Sequence, residues 1–82
     1  MNAPWRIHRH KAVTAYLVSL REAGRALRQH IESLKVTGIP ADATEIEPHT
    51  YLWLAADHWI GCVVDEQEKA IYISEIQPDR GI

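Results

Sequence analysis

Tyr51-Leu52-Trp53-Leu54-Ala55-Ala56-Asp57-His58-Trp59-Ile60-Gly61-Cys62-Val63-Val64-Asp65 is the stretch on which the reading of this chain turns. Its aromatic and β-branched residues fall into two strand-like runs, 49–56 and 58–65, separated by Asp57. A link this short implies antiparallel neighbours, because a parallel pair needs a crossover of roughly a dozen residues or more. Successive side chains of a strand point to opposite faces. Leu52 and Leu54 therefore share one face and Tyr51 and Trp53 the other, so both faces of the first run are apolar.

Downstream, the acidic turn Asp65-Glu66-Gln67-Glu68 leads into a third run, 69–77. Upstream, Gly38, Pro40 and Pro48 bracket a polar stretch, 37–48, that lacks helical or strand periodicity and reads as a loop. Between residues 11 and 35 the spacing is helical: Val13, Tyr16, Leu17 and Leu20 form one apolar stripe, and Leu27, Ile31 and Leu34 another. Gly24 lies between them, where a glycine lowers helix propensity by roughly 1 kcal/mol. A helical hairpin turning near residues 21–25 is therefore preferred to a single kinked helix. In residues 4–9, Trp5 and Ile7 alternate with Arg6 and His8 behind Pro4, which reads as a short first strand at an edge. The fold class is α+β: a short N-terminal strand, a helical hairpin and an antiparallel three-stranded meander. The helices cover one face of the sheet and leave the other open.

A chain of 82 residues has room for one domain and one core. With 46% hydrophobic and 24% charged residues it has the composition of a globular protein rather than a disordered or fibrous one. Cys62 is the sole cysteine, which excludes an intramolecular disulfide, and Ile60, Val63 and Val64 beside it indicate a buried, inert thiol. The opening Met1-Asn2-Ala3-Pro4-Trp5-Arg6 lacks a signal peptide's apolar segment, and no run approaches the ~18 apolar residues of a membrane span. A cytoplasmic protein without a membrane partner is expected. The formal charge of −2 argues against nucleic acid, whose binders neutralise phosphates with clustered Lys and Arg. The basic residues nonetheless gather before residue 36, while most acids lie from Asp42 onward.

In this order of elements, and in Tyr51 to Asp65, the chain resembles the RelE/ParE superfamily, the toxins of bacterial toxin–antitoxin pairs. Family members commonly show a tyrosine, alternating basic and apolar residues, a Gly-Asp-Tyr-Arg turn, an apolar strand and an acid. Tyr51, Asp57 and Asp65 fall on matching positions without a gap, and Lys69 to Ile76 reads as the last strand. The resemblance implies one RelE/ParE-like domain over residues 1–82. In the family's ribosome-dependent nucleases, basic residues on the open sheet face hold the RNA and stabilise charge as the 2′-hydroxyl attacks the phosphate. Such chemistry needs cations held close to the phosphate before reaction. The positions matching the alternating basic pair and the turn arginine are Leu52, Leu54 and Trp59, none of which carries charge.

The resemblance and these substitutions together imply a toxin-module protein that acts through protein contacts. Leu52, Leu54 and Trp59 would form a partner-binding patch for an antitoxin, a cellular target or a second copy in a homodimer. The bland alternative is a chain tail folded over the same strand. A second reading is a divergent, metal-independent, ribosome-dependent mRNA endoribonuclease that inhibits translation. In it His49 and His58, which flank the second run and could meet across a hairpin, work as acid and base with Arg80. A third is a structural subunit that borrowed the fold for assembly. None needs a cofactor. Arg21, Arg25 and Arg28 would make a basic, phosphate-binding ridge if the helix ran on through Gly24, and would scatter if a hairpin turned there. His8 and His10 would share one strand face, but two histidines without a third ligand do not define a zinc site, and a solvated edge is expected. Tyr16 and Tyr72, on apolar-stripe and strand positions, read as core.

Overall fold

The computed structural model describes residues 4–80. Strand β1 (Arg6–Arg9) is followed by helix α1 (Lys11–Leu20), a single 3₁₀ turn (Arg21–Gly24) and helix α2 (Arg25–Thr37). Four strands complete the chain: β2 (Thr44–Glu47), β3 (Thr50–Ala55), β4 (His58–Asp65) and β5 (Ala70–Pro78). They form one five-stranded sheet in the order β1-β5-β4-β3-β2. β1 runs parallel to β5, and every other pair is antiparallel. The α+β reading holds, but the meander has four strands rather than three. The expected loop 37–48 contains β2, whose four residues are all exposed. An edge strand with no buried face leaves no apolar alternation to count. Thr44 and Ile46, β-branched and two apart, were its faint signal.

The helices form a hairpin. Arg28 of α2 reaches back to the carbonyls of Leu17 (3.0 Å) and Arg21 (2.6 Å), and Glu32, one turn on, pairs with Arg9 ahead of α1 (2.9 Å). Partners that move backward along the chain as α2 moves forward mark an antiparallel pair. Arg21 makes the break: with φ 52° and ψ −131° it leaves the helical region that α1 occupies. His10 starts α1 from a non-helical φ/ψ and accepts the Ala12 N–H on its Nδ1 at 3.0 Å, so it is an N-cap rather than His8's neighbour on a strand face.

Val13 and Leu17 of α1 and Leu27, Ile31 and Leu34 of α2 are buried against Trp53, Ile60, Cys62, Val64, Ile71 and Ile73 of the sheet. No polar side chain is buried among the described residues. Removing most of a side chain such as Ile31 from this core would cost about 2–5 kcal/mol. At the far end of α2, Gly38 takes φ 72° and donates its N–H to Leu34, while the Trp5 N–H donates to the Lys35 carbonyl. A Cβ at Gly38 would lie 2.8 Å from the Trp5 indole nitrogen, so both the backbone angle and the close approach require glycine. That contact ties β1 to the helices, and among the described residues no helix covers the opposite face of the sheet.

Candidate functional site

The pairing register decides what the uncovered face displays. Trp53 opposes Ile60, and both are buried beneath the helices, so their neighbours Leu54 and Trp59, also directly opposed, point the other way. Three cross-strand rows follow. Leu54, Trp59 and Gln77 form the first, Leu52, Gly61 and Glu75 the second, and Thr50, Val63, Tyr72 and His8 the third. Leu54, Trp59, Val63 and Tyr72 are each between 41% and 43% exposed, and Leu52 is half-buried. The three residues expected on one open face are therefore brought together there.

Val63, Tyr72 and Glu75 join them, which the sequence reading missed. Tyr72 is not core: its ring stacks on His8 across the β1–β5 pair, with centroids 4.8 Å apart. Glu75 lies over Gly61, and a Cβ at Gly61 would come within 3.0 Å of its Cγ. The absence of a side chain there seats the Glu75 carboxylate between the leucine–tryptophan row and the Val63–Tyr72 row. A register shift beside Gly61 and Cys62 helps to place Glu75, and such bulges cannot be read from alternation alone. At the β2–β3 end a hollow lined by Pro48, His49, Val63, Asp65, Glu66 and Tyr72 continues the face toward acidic side chains.

The division of charge is now spatial. From residue 40 onward, in the β2–β5 part of the sheet and its turns, nine acids (Asp42, Glu45, Glu47, Asp57, Asp65, Glu66, Glu68, Glu75 and Asp79) face two cations, Lys69 and Arg80. The basic residues before residue 36 lie on β1 and the helical layer. They do not align as a ridge. Arg28 is held on backbone carbonyls at the end of α1, Arg21 sits in the break, and Arg25 is exposed at the start of α2.

His49 and His58 do not meet. His49, at φ 65°, occupies the β2–β3 turn, where its N–H donates to Glu45 and its carbonyl accepts from Val64 (2.8 Å). His58 begins β4 at the opposite end, six residues from Val64, or roughly 20 Å along a strand. The hairpin brings His58 to Ala55 instead. Its imidazole lies on the helical side. Nδ1 donates to the Ala56 carbonyl at 2.8 Å, and Nε2 lies 2.8 Å from the Tyr16 hydroxyl, so Tyr16 is half-buried in a polar contact at the core margin. Arg80 follows Asp79, whose N–H donates to Asp57, and lies at the His58 end.

Two further groups have structural roles. Cys62 is fully buried, and burial pushes its thiol up to about 11, far from a nucleophile's range. His30 accepts the Trp53 indole N–H on Nε2 at 2.9 Å, pairing the one polar atom of a buried tryptophan.

No protein-family model matches the sequence, and no curated protein matches it. The solved structures do match. Over 96% of this chain and 99% of the other, it superposes with a TM-score of 0.74 and 22% identity on a chain of the archaeal RelE–RelB complex from Pyrococcus horikoshii OT3. The chain shares the RelE-like fold of that neighbour.

Proposed function

We propose that this RelE-like chain works as a toxin-module protein through protein contacts of its open sheet face, with an antitoxin as the first partner to test. The observation that carries the reading is the set of exposed apolar side chains, Leu54, Trp59, Val63 and Tyr72, on the sheet face opposite the helices. Large apolar side chains gathered on one uncovered sheet face mark interaction surfaces, and tryptophan is a frequent interface anchor. The neighbour of like fold was solved in complex with RelB, which supports a partner of antitoxin type. Leu52, Leu54 and Trp59 bring no positive charge to hold RNA there. The nuclease reading has less support, because His49 and His58 lie at opposite ends of β4 and His58 is engaged by Tyr16 and Ala56.

The test is the solution mass of the wild type and of the Leu54→Arg, Trp59→Arg double variant, alone and with the product of an adjacent reading frame. A ribosome-dependent mRNA cleavage assay runs on the same samples. Association of the wild type with that product, its loss in a folded double variant and an absence of cleavage are expected. Cleavage of mRNA by a wild-type monomer would overturn the reading.

A further inference from the structure

Glu75 is the feature of the open face that an apolar docking patch does not explain. Its carboxylate stands over Gly61, with Leu54 and Trp59 in the row on one side and Val63 and Tyr72 in the row on the other. Gln77 donates to its Oε2 at 3.1 Å, which orients it without neutralising it. Among the described residues the ion pairs lie elsewhere, joining Arg6 to Glu68 and Glu32 to both Arg9 and Lys35. Any partner that covers the apolar rows therefore removes water from this carboxylate. An ionised group desolvated without an opposite charge is costly, and the cost falls on the wrong partner.

We infer that the open face takes a cationic amphipathic segment of a partner protein, with apolar side chains over the Leu54–Trp59 and Val63–Tyr72 rows and a Lys or Arg on Glu75. The inference rests on the protein-contact reading of this face and specifies the chemistry of the occupant. Charge complementarity selects it, since Asp65 and Glu66 line the hollow at the far end of the face, where Arg6, in register with Asp65, is already ion-paired to Glu68. The same carboxylates repel a phosphate backbone. A second copy docked face to face would, by two-fold symmetry, bring the two acidic patches toward each other, which disfavours an isologous dimer on this surface.

The experiment is selection of peptides from a random library on the immobilised full chain, with binding of the enriched peptides then measured on three folded variants. Leu54→Arg with Trp59→Arg tests the face, Glu75→Gln tests the charge, and Glu75→Lys reverses it. The expected result is enrichment of Lys or Arg among apolar residues. Affinity should fall about tenfold or more in Glu75→Gln, further in Glu75→Lys, and vanish in the double variant. Peptides that are neutral or acidic, lose binding in the double variant and ignore Glu75→Gln would overturn the cationic partner while leaving the face as an interface. Peptides indifferent to the double variant, or no enrichment at all, would overturn both. A concentration-dependent dimer of the wild type, abolished by the double variant, would replace the partner by a second copy and also overturn the inference.

Discussion

His30 and Trp53 show how one pair of residues can make the core responsive to pH. Trp53 is 2% exposed, and its indole N–H needs an acceptor that the apolar core does not otherwise supply. Nε2 of His30 provides it only while unprotonated. Burial lowers the pKa of His30 below its usual value, with the negative charge of Asp42 opposing the shift. A histidine depressed in the folded state binds its proton more readily when unfolded. Its contribution to stability is therefore complete above about pH 6.5 and is lost as pH falls through the lowered folded value. Thermal unfolding followed from about pH 8 to about pH 5 should give a falling Tm, with a shallower fall in His30→Gln, whose amide oxygen can accept the indole N–H without titrating. His30→Ala, leaving that donor unpaired, should lose about 1–3 kcal/mol in a urea melt at neutral pH.

At the scale of elements, four connections hold non-glycine residues in backbone regions that suit glycine or asparagine, His49 before β3 and Lys69 before β5 among them. Arg21, between α1 and α2, has φ 52°, and the two-residue β3–β4 hairpin places Ala56 at φ 51° and Asp57 at φ 62°. Positive φ at both central positions is the type I′ pattern, for which Asn-Gly is the favoured pair. Arg21→Gly, and separately Ala56→Asn with Asp57→Gly, should each stabilise the protein by about 1 kcal/mol, read as a higher urea midpoint at unchanged slope. Arg28→Ala should act in the opposite direction, by about 1–2 kcal/mol, since it releases the carbonyls of Leu17 and Arg21 that close the hairpin. The hairpin itself was legible from two apolar stripes and an intervening Gly24. The β2 strand was not, because a wholly exposed edge carries no burial pattern.

Across the whole molecule, the apolar rows and the acids share the β3–β5 surface while most cations lie on β1 and the helical layer. No helix among the described residues is long and apolar enough to cross a membrane. Leu54 and Trp59 project from the sheet rather than into the core, so replacing both by arginine should shift global stability by no more than about 1 kcal/mol. A thermal melt of the double variant close to that of the wild type would separate the function of this face from its part in folding. A large loss of stability would instead assign the two side chains to the fold.

By itself the sequence determined the α+β class, the helical stripes, the three long strands and the common face of Leu52 and Leu54. Each of these is local periodicity, set by how far side chains rotate from one residue to the next. Tertiary structure decided which strands are neighbours and in what register. That brought Tyr72 out of the core to the open face, set Glu75 over Gly61 among apolar rows, and parted His49 from His58 by the length of β4. Cross-strand pairing joins residues distant along the chain, and a single bulge moves every side chain beyond it to the other face. No local pattern encodes that choice.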